Sequence, residues 1–252
     1  MVELRNLSAG YPGKPVLQNL NLTIPDRQVT AILGPNGCGK STLLKTLCGI
    51  LPPSGGEVLL DGRSAQSFSS ADLAKEVAYL SQSRSVPDIT AQRLVLHGRF
   101  PYLSYPRRYR PTDIAMAKAA MERMGVADLA PTPVANLSGG QRQNVYIAMV
   151  LAQDTPLVLL DEPTAFLDIS HQLQMARHAR LLTEEGKTVV MVLHDIPLAL
   201  KSADHIVVME HGTVIRSGTP EEILNGGCLK AVFGVDVSRV QTPKGTNYVI
   251  DG

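Results

Sequence analysis

A lysine and two hydroxyls close a glycine-rich string, Gly34-Pro35-Asn36-Gly37-Cys38-Gly39-Lys40-Ser41-Thr42. Glycines let successive backbone N–H groups converge on anionic oxygens that a Cβ would obstruct. A helix starting at this point aims the positive end of its dipole at the same place. Lys40 then reaches the β- and γ-phosphates of a nucleoside triphosphate, and Ser41 is placed to ligate magnesium. A glycine-rich turn that binds nothing would need neither lysine nor hydroxyl. Cys38, beside Lys40 and a helix N-terminus, sits where a thiol pKa is expected to fall, though its expected part is that of a small residue fitting the loop.

Two carboxylates follow an apolar run, Leu157-Val158-Leu159-Leu160-Asp161-Glu162. Such a run suits a central parallel strand buried on both faces, and ligands of open α/β sheets bind at the carboxyl ends of strands. Neighbouring strand residues point to opposite sides, so the two acids are expected to do different work. Asp161 fits magnesium coordination, direct or through water. Glu162 fits the base that polarises an attacking water. His194 ends a second apolar run, Val189–Leu193, which is expected to lie beside the Asp161 strand and bring the histidine to a γ-phosphate. Gln82 follows the run Val77–Ser81 in the same way, and its amide suits magnesium or water.

A third string, Leu137-Ser138-Gly139-Gly140-Gln141, precedes a helical pattern at Val145, Ala148, Met149 and Ala152. Ser138 is a natural N-cap, and the glycines bare the backbone N–H groups of the first turn. That makes a second anion site. A capping serine with two flexible glycines would explain the string alone, but not its position between the two others.

Together these strings resemble the ATP-binding subunits of ABC transporters, over essentially residues 2–225. The resemblance implies an α/β fold: a P-loop NTPase (RecA-like) core with a mixed sheet, an N-terminal antiparallel β subdomain and an inserted α-helical signature subdomain. It implies that Tyr11 stacks on adenine and that Gln82 is the Q-loop residue. Residues 137–141 match the signature, Thr164-Ala165-Phe166-Leu167-Asp168 the D-loop, and His194 the switch histidine. It also implies a head-to-tail dimer with two ATP molecules at the interface. Each is held by Lys40 and its loop from one subunit and by Ser138 and Gly140 from the other. Three further strings look most like importers of ferric siderophores, haem and cobalamin: Gly98-Arg99-Phe100-Pro101-Tyr102, Met149-Val150-Leu151-Ala152-Gln153 and Leu167-Asp168-Ile169-Ser170-His171-Gln172. Asn144 and Pro197 depart from the family wording. The partners implied are a second copy of the chain, integral membrane permease subunits and, indirectly, an extracytoplasmic substrate-binding protein.

The elements that must position these residues are readable from pattern. Strands are expected at 2–8, 16–24, 29–33, 54–60, 77–81, 157–161, 189–193 and 205–209. Their alternation with helices predicts a doubly wound α/β sheet. Residues 91–98, 113–124 and 139–153 carry helical patterns and few strand signals. The expected organisation is one ABC ATPase domain over 1–252, with its core at 1–87 and 153–225, a helical subdomain at about 88–152 and an extension at 226–252. Thr219-Pro220-Glu221-Glu222 reads as a helix start. Residues 235–240 and 247–250 flank a turn and suggest a terminal hairpin.

Composition bounds the rest. At 252 residues the chain can bury a large core. Lysine plus arginine (24) nearly cancels aspartate plus glutamate (23), which argues against a general nucleic-acid binder. No apolar stretch approaches bilayer length, and Met1-Val2-Glu3-Leu4-Arg5 lacks a signal-peptide core. The three cysteines show no metal or disulfide spacing. The expectation is a soluble cytoplasmic protein that reaches the membrane's cytoplasmic face through partners. His171 and His178 share a helix face and are expected to be solvated, as are Arg107, Arg108 and Arg110. A soluble ABC ATPase of cofactor assembly, such as Fe–S cluster assembly, carries the same motifs and is the alternative. A DNA-repair ATPase of the superfamily would need coiled coils between loop and signature, and a small-molecule kinase would have no use for the signature.

Overall fold

The computed structural model of the protein describes residues 1–82, 86–164, 168–243 and 245–251. Its N-terminal part is an antiparallel sheet of β1 (Val2–Tyr11), β2 (Lys14–Ile24), β4 (Gly55–Leu60) and β5 (Arg63–Ser64), in the order β2-β1-β4-β5. Asp61 and Gly62 join β4 to β5 with φ of 48° and 78°. A two-residue hairpin of type I′ needs positive φ at both central positions, which is why Asp-Gly marks it in the sequence.

Between β2 and β4 run β3 (Val29–Leu33) and α1 (Lys40–Leu47). β3 lies inside a six-stranded sheet with β6 (Val77–Leu80), β7 (Leu157–Asp161), β8 (Thr188–Val192), β9 (His205–Glu210) and β10 (Thr213–Gly218), ordered β10-β9-β3-β8-β7-β6. Every pair is parallel except β9–β10, so the sheet is mixed. β3, β7 and β8 are buried at every position. Their alternate side chains enter two separate cores. Val29, Ala31, Leu33, Val158, Leu160, Val189 and Met191 pack on one face with the helices that follow. Ile32, Leu157, Leu159, Val190 and Val192 pack on the other with Leu43, Leu44 and Leu47 of α1 and with the N-terminal sheet. This period of two fixes which side each strand-end residue faces.

Three helices, α3 (Ala91–His97), α4 (Pro111–Arg123) and α5 (Gly139–Gln153), follow β6 and pack on one another. α4 starts two residues before the sequence expectation. Pro111 occupies its first position, and Asp113 Oδ2 accepts from the Arg110 backbone N–H at 2.9 Å. α2 (Ser70–Glu76), capped by Ser69, leads into β6. α6 (Ile169–Glu184) and α7 (Ile196–Ser202) precede β8 and β9. Pro197 is the second residue of α7, where a missing N–H costs nothing.

Thr219 caps α8 (Pro220–Asn225) in a reciprocal box with Glu222. Then come α9 (Cys228–Phe233) and a hairpin of β11 (Asp236–Thr242) and β12 (Gly245–Asp251), with β12 against α7. Lys244, in the anticipated turn, lies outside the described residues. Among the described residues no helix is long and apolar enough to cross a membrane.

Candidate nucleotide-binding site

The glycine-rich loop joins the C-terminal end of β3 to the N-terminus of α1. Gly37 and Gly39 have φ of 78° and 108°, a region that favours glycine. A Cβ at Gly34 would collide with the Met209 carbonyl and the Cys38 sulfur, so the loop closes only around hydrogen. Lys40 is 5% exposed, and its Nζ donates to the carbonyls of Gly34 (2.7 Å) and Pro35 (2.9 Å). The ammonium thus lies folded over the loop that it serves. Cys38 corrects the sequence expectation. It is buried, and burial pushes its thiol up, outweighing the opposite pull of the Lys40 charge.

Asp161 shares strand parity with Leu157 and Leu159, so it faces the α1 side of the sheet. There Ser41 Oγ donates to its Oδ1 at 3.0 Å, and the Tyr79 hydroxyl donates to its Oδ2 at 3.0 Å. Burial raises the Asp161 carboxyl, against the pull of these two bonds. Burial, and then the carboxylate itself, pushes the Tyr79 phenol up. A hydroxyl and a carboxylate side by side at the end of a phosphate loop are hard oxygen donors, and they fit magnesium. Tyr79 was invisible as a site residue in the sequence. Only its place three residues before Gln82, on the strand beside β7, could have marked it.

Glu162 does turn away from its neighbour. Its backbone has φ of 51°, unusual for a residue with a side chain. The turn sends the carboxylate between two other strand ends: Gln82 Nε2 donates to Oε2 at 2.6 Å, and His194 Nε2 lies 2.7 Å from Oε1. The order β8-β7-β6 makes this fork possible, because His194, Glu162 and Gln82 follow three adjacent strands.

One cavity of about 590 Å³ is lined by Tyr11, Asn36, Gly37, Gly39, Lys40, Ser41, Thr42, Gln82, Glu162 and His194, with Lys14 and Val16 besides; Gly34, Pro35, Cys38 and Asp161 are not among its lining residues. Tyr11 is 44% exposed at its rim, with Lys45 Nζ 6.0 Å from its ring centroid. The sequence reading missed Lys14, Val16 and Lys45, which lie in no motif.

The remaining anticipated residues are elsewhere. Ser138, Gly139, Gly140, Gln141 and Asp168 do not line the cavity. Ser138 caps α5: its Oγ accepts from the Gln141 N–H at 3.3 Å, while Gln141 Oε1 accepts from the Ser138 N–H at 3.1 Å. Gly139 faces open space, and a Cβ at Gly140 would stand 3.1 Å from Nε2 of His171. Asp168 caps α6, accepting at Oδ1 from the His171 N–H (3.0 Å) and the Ser170 hydroxyl (2.7 Å). His171 Nδ1 is 2.9 Å from the same oxygen. These bonds hold the Asp168 carboxyl well below the usual carboxylate range. Residues 165–167 of the anticipated D-loop string lie outside the described residues. His178 is half-buried: burial lowers its pKa, and its Nδ1 has no hydrogen-bond partner among the described residues.

Residues 17–165 match the family model described as "ABC transporter". The achromobactin transport ATP-binding protein CbrD of Dickeya dadantii is 44% identical over 241 residues, 95% of this chain and 90% of that one. The iron(3+)-hydroxamate import ATP-binding protein FhuC of Bacillus subtilis is 42% identical over 94% of this chain and 89% of its own. The ferric enterobactin transport ATP-binding protein FepC of Escherichia coli is 42% identical over 97% and 91%. Among solved structures, a metal-chelate type ABC transporter in an inward-facing conformation superposes with a TM-score of 0.86 at 27% identity, covering 100% of this chain and 97% of that one. A dimeric ATP-binding cassette in a post-hydrolysis state, bound to ADP and phosphate, has a TM-score of 0.76 at 29% identity, covering 87% and 99%.

Proposed function

The chain belongs to the ABC transporter family of ATP-binding proteins, and from that premise we propose that it is the ATP-hydrolysing subunit that powers import of an iron chelate, such as a siderophore or haem, or of a cobalamin-like compound. The fork at Glu162 carries this reading, because it sets a carboxylate base at the open end of a phosphate loop. The relatives named for achromobactin, hydroxamate and enterobactin transport support the cargo class.

In this reading Tyr11 stacks on the adenine at the cavity rim. Lys40 leaves the Gly34 and Pro35 carbonyls for the β- and γ-phosphate oxygens. Ser41 and Asp161 would hold magnesium, with Gln82 as a further ligand or water contact. Magnesium supplies charge neutralisation on the phosphates. Glu162 takes the proton of the attacking water, and His194 contacts the γ-phosphate. Asp168 borders the subunit interface.

Ser138, Gly139, Gly140 and Gln141 lie away from this cavity and present a capped helix start with bare backbone N–H groups. That arrangement serves the nucleotide of a second copy, so the working unit is a head-to-tail dimer. The dimeric relative in its post-hydrolysis state supports this assembly. The organisation that goes with it is a core of 1–87 and 153–225, a helical subdomain of about 88–152 and an extension of 226–252. Motion at Gln82 then passes to short helices of membrane permease subunits, which hold the protein on the cytoplasmic face of the membrane. An extracytoplasmic binding protein delivers the cargo.

Glu162→Gln tests the reading. The variant should bind ATP, lose turnover by about a hundredfold or more, and accumulate an ATP-bound dimer measured by sedimentation. Undiminished hydrolysis would refute the base assignment.

A further inference from the structure

Two of the strings that mark the sequence flavour of this chain, Gly98–Tyr102 and Met149–Gln153, touch no nucleotide pocket. In the structure they meet each other. Gly98 packs so closely on α5 that a Cβ there would collide with the Met149 carbonyl. The next residue, Arg99, is only 5% exposed. Its Nη1 donates to the carbonyl of Ala152 at 2.9 Å and to that of Gln153 at 3.4 Å, in the last turn of α5. Its Nε donates to Oδ1 of fully buried Asp113 on α4 at 3.2 Å, and its guanidinium lies 3.9 Å from the Tyr102 ring centroid. The same end of α5 is tied to the core by Gln153, whose Nε2 donates to the carbonyls of Ala74 (2.7 Å) and Val77 (3.2 Å). Nearer its start, α5 is tied to the catalytic strand by Gln143 Nε2, which donates to the Pro163 carbonyl at 2.7 Å.

A helix leaves its last carbonyls without intrahelical partners. Here one buried arginine gathers them together with a carboxylate from the neighbouring helix. A planar fork with donors on several edges can do this, and a lysine ammonium on its flexible stem cannot hold the same directions. The signature segment lies at the opposite end of α5, about 22 Å away at 1.5 Å per residue. A change of tilt at the anchored end is passed along the helix, about the Gln143–Pro163 tie, to the first-turn N–H groups.

We propose that Arg99 is a positioning residue for the signature segment: by clamping the C-terminal end of α5 to Asp113, it sets where Ser138–Gln141 point when a second subunit presents its nucleotide. The inference rests on the two-subunit reading above. A purely structural Arg99 would lower thermal stability and leave dimer formation and turnover unchanged below the melting temperature. A positioning Arg99 changes the assembly step itself.

The decisive comparison places Arg99→Lys in the Glu162→Gln background and measures the ATP-dependent dimerisation constant by sedimentation. Binding of a fluorescent ATP analogue to the monomer is measured in parallel, at a temperature where circular dichroism shows the chain folded. The expected result is unchanged monomer affinity with dimerisation weakened by about ten- to a hundredfold. In the chain with Glu162 intact, kcat falls alongside with little change in KM, since small misplacements of a bound group cost up to about that much. Should Arg99→Lys unfold, the pair Arg99→Met with Asp113→Asn removes the clamp with no unneutralised carboxylate left beside it. Gln153→Leu frees the same helix end without touching a charge. Both are expected to weaken dimerisation likewise, whereas Lys118→Ala, on the exposed side of α4, leaves it unaltered. A lowered melting temperature with an unaltered dimerisation constant and kcat overturns the proposal. A Glu162→Gln parent that stays monomeric with ATP overturns the two-subunit reading, and the proposal with it.

Discussion

Asp161 is buried among apolar strand residues, yet two hydroxyls reach it, one from the phosphate loop's helix and one from the neighbouring strand. In the proposed role of Asp161 as a magnesium ligand, partners of this kind orient the carboxylate, and their loss typically costs about ten- to a hundredfold in metal affinity. Tyr79→Phe is therefore expected to raise the magnesium concentration for half-maximal ATPase by about tenfold, with turnover recovering at saturating magnesium. A titration of rate against magnesium checks this, and an unshifted curve would show that Tyr79 only fills space. Cys38 offers a second test at this scale. Its thiol is buried and pushed up, so alkylation at neutral pH should be slower than that of a free model thiol. The loop residues and the acid pair gathered at these strand ends were legible because the chemistry proposed for them demands a fixed local order: glycines, lysine and hydroxyl, or an acid pair after a strand. Tyr79 and Lys45 were not, because what matters about them is a partner brought near by sheet order. The Cys38 expectation failed for a related reason: the sequence shows the neighbouring charge and not the burial that outweighs it.

Among the elements, β7 illustrates how packing and chemistry share one period. Leu157 and Leu159 face α1, Val158 and Leu160 face the other core, and Asp161 inherits the α1 side from this alternation. Truncating Leu159, which is fully buried, to alanine should cost about 2–5 kcal/mol in stability through lost contacts and an unfilled cavity. Chemical denaturation measures it, and the ATPase rate per folded molecule should fall as the end of the strand loosens. α4 supplies a prediction in pH. Burial alone would raise the Asp113 carboxyl, but bonds from Arg110 and Arg99 bring it down to about 2. A carboxyl lowered by folding contributes stability above its unfolded value, near 3.8, and loses it as pH falls through the folded value. The acid limb of unfolding between about pH 4 and 2 should therefore flatten in Asp113→Asn. Helix and strand positions were readable from apolar periods and caps, including Thr219 and the Asp61-Gly62 turn. The clamp beneath α5 was not, since its donors and acceptors lie 14 and 53 residues apart in the chain.

For the molecule as a whole, Ser138–Gln141 lie outside the cavity that Lys40 and Glu162 line, and the proposed dimer joins each to its counterpart on a second copy. ATPase activity per subunit should consequently rise with protein concentration until dimers predominate. Ser138→Arg should abolish that dependence while leaving monomeric ATP binding near normal, and full activity in isolated monomers would contradict it. Copurification with a polytopic membrane protein separates a transport subunit from a soluble cofactor-assembly ATPase. The phosphate-loop, acid-pair and signature strings could not choose between those two, because both use the same phosphate chemistry. Similarity along most of the chain to transport ATP-binding proteins favours the first.

Both oxygens of Glu162 are engaged, one by an amide and one by an imidazole. Each oxygen keeps a further lone pair, and the two contacts fix where the carboxylate points. A shift of the strand ends that carry Gln82 or His194 would therefore re-aim the carboxylate of Glu162.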